Sequence, residues 1–149
     1  MGAYDYIKSA VEISGSLNFW KVAMRPGKPL AFGSYHDIPF FGLPGNPVSA
    51  FVSFLVFVVP ALEKLTGVDP GRKQRIKVML SEDIESDGRE SYLRAMINHE
   101  NGKSVASLTG HQGSGNLYSI VRANALLVIP AGVKYCPAGS EVSAWLLDI

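Results

Sequence analysis

The sequence predicts an α/β unit followed by a small all-β unit. The first half alternates helical and strand-like patterns. A charged segment rich in Gly and Pro, "TGVDPGRKQR" from Thr66 to Arg75, then interrupts the pattern. Beyond it, only short alternating segments remain, separated by Asp-Gly, Asn-Gly and Ala-Gly turns.

Taken in order, Tyr4 to Ser14 suits a helix, and "LNFWKVAM", "KPLAFGSY" and "IPFFGL" suit strands. Asn46 is placed as an N-cap and Pro47 in the first turn of a helix that runs to about Thr66. Its apolar run "VSAFVSFLVFVVPAL" is roughly fifteen residues long and contains Pro60. A bilayer needs ~20, so a buried helix is expected and not a membrane span. Past the boundary, "RIKVML", "SYLRAMIN", "SVASL", "NALLVIP" and "VSAWLLDI" suit strands, with turns at "SDGRE", "ENGK" and "PAGSE". That pattern makes a barrel or sandwich of about seventy-five residues, small enough to rely on its neighbour for stability.

Of 149 residues, 47% are hydrophobic and 18% charged, the range of an ordinary globular chain. The formal net charge of +1 gives no general attraction to nucleic acid or to an anionic membrane, so any anion recognition must be local. A single cysteine, Cys136, leaves no internal disulfide and no recognisable zinc motif, which fits a reducing cytoplasm. The start "MGAYDYIKSAVEIS" carries acids and lacks the apolar core of a signal peptide.

Four stretches carry candidate chemistry. In "FFGLPGNPVSAF", Gly45, Asn46 and Pro47 open a helix whose first N–H groups can face an oxyanion. A plain capped turn would use the same residues. In "FWKVAMRPGKPLAFG", Lys21, Arg25 and Lys28 surround a Pro-Gly turn and could grip phosphate, or merely form a solvated basic turn. In "TGHQGSGNLYS", Ser114 and His111 lie in a flexible polar loop. No GxSxG motif surrounds them, so a hydrogen-bonding loop at a domain interface is expected and not a hydrolase triad. In "GAYDY", Asp5 can cap a helix or, facing cations, help hold Mg²⁺.

In their order along the chain and at these spacings, the four stretches resemble the MoeA/gephyrin family of molybdopterin molybdenumtransferases, from Gly2 to the C-terminus. "YLRA" at Tyr92 to Ala95 and "NALLVIP" resemble the family's terminal domain. The resemblance implies that residues 1–71 are the C-terminal part of a MogA-like α/β/α molybdopterin-binding domain. It likewise implies that residues 72–149 form a β-barrel like MoeA domain IV.

The chemistry it implies is insertion of molybdate, or tungstate, into adenylylated molybdopterin with release of AMP, assisted by Mg²⁺. By position, Asp5 would serve the metal and catalysis, and Lys21, Arg25 and Lys28 would line the oxyanion pocket. Gly45, Asn46, Pro47 and Ser49 would meet the pterin, and Ser114 would join the same cleft from the second domain.

Met1 and Gly2 stand inside the family's "SGGxSxGxxDY" stretch, so the preceding strand, a Gly-Asp loop and two N-terminal domains are expected to lie elsewhere. The chain is therefore expected to be a fragment, a split-gene subunit or a truncated product, inactive alone. It would form a homodimer through those domains or pair with a separate N-terminal subunit. A gephyrin-like scaffold that dimerises or holds peptides is the alternative.

Overall fold

The computed structural model describes residues 11, 13–68 and 75–147. The expected boundary between residues 71 and 72, and most of the helix expected from Tyr4, lie outside the described residues. Four strands precede the long helix: β1 (Gly15–Lys21), β2 (Met24–Arg25), β3 (Pro29–Tyr35) and β4 (Ile38–Gly42). Strands β1, β3 and β4 form an antiparallel sheet in that order. Phe19, Phe32 and Phe41 stack across it, with ring centroids 5.6 and 4.8 Å apart, which fixes the pairing register by cross-strand aromatic contact.

The β3–β4 turn places His36 at φ 47° and Asp37 at φ 62°, left-handed positions without a glycine. A two-residue hairpin turn favours Asn-Gly because both central residues need positive φ. His36 stacks edge-on against Tyr35 at 4.5 Å, so Asp37 is the position to change. Asp37→Gly is expected to stabilise the chain by about 0.5–1 kcal/mol, the left-handed penalty less the extra chain entropy of glycine. An upward shift of the urea midpoint checks it.

The expected strand "LNFWKVAM" does not continue as one. It breaks after Lys21, and Met24–Arg25 leave the first sheet to pair in parallel with Glu90–Ser91 of the second half.

The helix runs from Pro47 to Thr66 as α1 (Pro47–Ser53), a π-helical turn (Phe54–Val58) and α2 (Val59–Thr66). Pro60 has no N–H to give the Val56 carbonyl and its ring crowds that carbonyl, and the widened turn just before it makes room without ending the helix. Gly67, at φ 68°, closes it in the left-handed region.

The expectation of a buried helix needs correction. Val48, Ser49, Val52 and Ser53 are buried, but no residue from Phe54 to Thr66 is. Among the described residues, no second layer covers the outer face, and Leu62 and Leu65 stand exposed. At 20 residues the helix is also longer than its apolar run, and long and apolar enough by length and composition to cross a membrane.

The second half contains β5 (Arg75–Leu80), β6 (Ile84–Glu85), β7 (Glu90–Glu100), β8 (Lys103–Leu108), the single-turn α3 (Tyr118–Val121), β9 (Ala125–Ile129), β10 (Tyr135–Cys136) and β11 (Glu141–Leu146). Strands β7, β8, β5, β11 and β9 pair in sequence, and β9 pairs back to β7. The ring closes, so the unit is a five-stranded barrel and not a sandwich. Alternate residues such as Val78, Leu93, Ala95, Leu127 and Ala144 fill its interior.

A second cluster joins the two halves: Met24 of β2 and Val52 of α1 pack on Tyr92, Leu126 and Trp145 on the barrel's outside. Tyr92 and Trp145 meet edge to face at 5.2 Å. The small barrel thus leans on the first unit.

Candidate anion-binding site

Arg94 lies in the middle of β7 and is wholly buried. The whole "TGHQGSGN" loop is built on it. Gln112 imitates a strand: its Oε1 accepts the Arg94 N–H at 2.9 Å, and its Nε2 donates to the Arg94 carbonyl at 3.1 Å and the Gly110 carbonyl at 3.0 Å. Thr109 Oγ1 lies 3.1 and 2.8 Å from the carbonyls of Arg94 and Ser119. The Arg94 guanidinium donates from Nε to Ser119 Oγ at 3.0 Å and from Nη2 to the Gly113 carbonyl at 3.1 Å. The loop is therefore pinned, not merely flexible.

Nη1 of Arg94 is buried and has no partner. Its side-chain hydrogen bonds go to a hydroxyl and a carbonyl, and none goes to a carboxylate. Burial pushes the guanidinium down to about 10, and the positive charge of Arg25 adds to this, so it remains charged at neutral pH. A buried cation with only neutral partners and a like-charged neighbour is costly. The arrangement is one an anion would complete, because a guanidinium and an oxyanion match in charge and in donor geometry.

Arg25 reaches this place through β2, whose pairing sets Met24 against Glu90 and Arg25 against Ser91, three residues before Arg94. Just beyond it, Pro26 and Gly27 are buried, and Gly27 rests on Ser49 and Ser53 of α1. The basic turn and the "LPGNP" helix are thus packed together. Lys21 and Lys28 are exposed at one end of the β1–β3 pair, joined by the Val22 N–H to the Lys28 carbonyl at 3.0 Å. On the other side of Arg25, Asp87 is held down to about 2, mainly by the hydrogen bonds of Arg89 and in small part by Arg25.

Asn46 occupies the N-cap position but does not cap with its side chain. Its Oδ1 is buried without a partner, so the expected side-chain cap is absent. An orphaned acceptor calls for an N–H donor and not for an anion. Gly45 and Pro47 are exposed beside it and Ser49 is buried. Close by, an apolar pocket of about 270 Å³ is lined by Trp20, Leu30, Phe41, Gly42 and Leu43, with Pro29 and Ala31.

Ser114 is half-buried next to Gly113 in the Arg94 loop. The neighbouring His111 accepts the Gly113 N–H at Nδ1, 3.1 Å away. Asp5 lies outside the described residues. Among the described residues, no three His, Cys, Asp or Glu side chains converge, so they do not by themselves fit a magnesium site.

In the sequence Arg94 stands out only as part of "YLRA". Its signal is a charge between Leu93 and Ala95, both barrel-interior residues, in a strand that is otherwise mostly apolar.

With the barrel, the helix and this junction in place, the chain can be set beside known proteins. Residues 1–64 match the model of a probable molybdopterin binding domain, and residues 77–147 match that of the MoeA C-terminal region, domain IV. It is similar to the molybdenum cofactor synthesis protein cinnamon of Drosophila melanogaster, 40% identical over 88% of this chain and 22% of that protein. Molybdopterin molybdenumtransferase 2 of Mycobacterium tuberculosis is 36% identical over 97% of this chain and 37% of its own length. The crystal structure of a MoeA protein from Pyrococcus horikosii superposes with a TM-score of 0.76 at 31% identity, over 97% of this chain and 35% of that one. The fold is an α/β unit that matches a probable molybdopterin binding domain, joined to a small barrel. The chain belongs to the MoeA family and corresponds to its C-terminal part. It spans between about a fifth and two fifths of the length of these relatives.

Proposed function

We propose that this chain takes part in molybdenum cofactor synthesis as the C-terminal part of a molybdopterin molybdenumtransferase. The observation that carries the proposal is the buried Arg94, without a carboxylate partner and with Arg25 as its charged neighbour, at the junction of two segments that each match a piece of that family. In this role Arg94 and Arg25 hold an oxyanion, molybdate or a phosphate of adenylylated molybdopterin, and Lys21 and Lys28 add positive charge nearby. Asn46 Oδ1 accepts from an N–H of the pterin, and the pocket beside Trp20 and Phe41 takes its flat ring. Ser114 contributes a hydroxyl from the barrel loop.

The chemistry proposed is placement and charge stabilisation while molybdate replaces AMP, with Mg²⁺ held by Asp5 and by further acids. Those acids would come from the part of the relatives' length that this chain does not span, in one polypeptide, a homodimer or a separate subunit of the cytoplasm. The scaffold alternative is not favoured, since relatives of the same coverage are named as transferases.

Equilibrium binding of adenylylated molybdopterin tests this. Lys21→Ala and Arg25→Ala are each expected to weaken it about tenfold, the size of one charge-assisted hydrogen bond. No binding by the parent chain, or no change in either variant, would remove the substrate site.

A further inference from the structure

The turn between β6 and β7 makes a contact that its own stability does not explain. Arg89 lays Nε against both Asp87 oxygens, at 3.2 and 3.1 Å, and Nη2 against Oδ2 at 2.5 Å. Its remaining nitrogen, Nη1, crosses to the other half of the chain and donates to the Met24 carbonyl at 3.2 Å. The two side chains are 36% and 39% exposed, where an ion pair contributes little to stability. A rigid planar fork can hold a carboxylate along one edge while a nitrogen of its other edge reaches a second acceptor, which a lysine cannot do.

The second acceptor matters because of where it sits. The Met24 carbonyl belongs to the peptide bond that leads into Arg25. Strand β2 is two residues long, so this bond adds to a short backbone pairing and to the packing of Met24 in fixing it on the barrel. Arg89 itself stands on a firm base: its carbonyl accepts from Ser91 Oγ at 3.0 Å, and the turn is tied down by Ser86 N–H to Lys134 and Gly132 N–H to Gly88, both at 2.8 Å. Asp87 also needs neutralising. Its charge is felt by Arg25, and left bare it would oppose an anion there.

We propose that Arg89, oriented by Asp87, is a positioning residue that fixes Arg25 for the anion site and neutralises Asp87. The proposal rests on the Arg25–Arg94 site described under the proposed function.

The test is a double-mutant cycle on the whole chain, with molybdate alone as the probe and binding read by calorimetry. Arg89→Lys is expected to weaken molybdate binding about tenfold in the parent and less than about twofold in the Arg25→Ala background, where Arg94 still binds. Equal factors in both backgrounds, or a lowered unfolding midpoint with unchanged affinity, would make the clamp structural only and overturn the proposal. If the parent binds no molybdate, the anion site falls and the proposal with it. If Arg94→Met abolishes binding while Arg89→Lys leaves it intact, the positioning role alone fails.

Discussion

Arg94→Met is expected to reduce oxyanion affinity by about a hundredfold while leaving the stability of the chain within about 1–2 kcal/mol of the parent. The first figure follows from losing a charged donor set, since hydrogen bonds to charged groups are worth about 1.5–3 kcal/mol each and more than one is removed. The second is a balance. Methionine keeps the buried aliphatic stem and removes a buried cation that no carboxylate neutralises, which relieves several kcal/mol of desolvation in the ligand-free chain. Against that, the Gly113 carbonyl loses a donor, and so does Ser119 Oγ, which still donates to the Asn116 carbonyl at 2.5 Å. Those losses cost about 1–3 kcal/mol.

The competing account makes Arg94 a structural pin for the "GHQGSGN" loop. It predicts a loss of more than about 3 kcal/mol, as when a buried hydrogen-bond network is broken. Yet Gln112, Thr109 and Asn116 also hold that loop, and Gln112 and Thr109 bind the backbone of Arg94, which methionine retains. Molybdate binding and urea unfolding on the same variant separate the two. Large instability with the affinity of the surviving folded fraction unchanged would assign Arg94 to the fold.

The sequence makes the element order legible because its signals are local. Alternation, turn glycines and the Asn46-Pro47 start each act within a few residues, and the strands of the barrel fall where their alternation puts them. What is not legible depends on partners far along the chain. The two residues of β2 pair with a strand some 65 positions away, so nothing around Met24 announces the break after Lys21. The helix is expected to run past Pro60 to about Thr66 and does, but the π-turn that makes room for Pro60 is not visible in the sequence.

The site divides in the same way. Arg25 and the helix start are visible as cations and a cap next to turns, whereas the counterpart of Arg25 is a charge hidden in an apolar strand. Asn46 shows the limit of a local rule: the position is the N-cap, but the side-chain oxygen is left unpaired.

Gly27→Ala is expected to destabilise the chain by about 2–5 kcal/mol, enough to unfold a marginal domain. Two costs combine. Gly27 sits at φ 108°, a conformation that side-chain-bearing residues rarely adopt, and its added Cβ would lie 2.5 Å from Ser53 Oγ. That hydroxyl is in the first stretch of the helix, fully buried and without a partner.

The two costs can be told apart. Ser53→Ala alone should be neutral or slightly stabilising, because it deletes an unsatisfied buried oxygen. Gly27→Ala combined with Ser53→Ala should recover the steric part, about 1–3 kcal/mol, and leave the backbone strain. Denaturant unfolding of the three variants gives the split. Additive losses would mean the contact between the "RPG" turn and the helix is slack. Recovery would mean that the turn carrying Arg25 is seated directly on the helix that presents Asn46, so the two halves of the candidate site are held at one distance by a glycine.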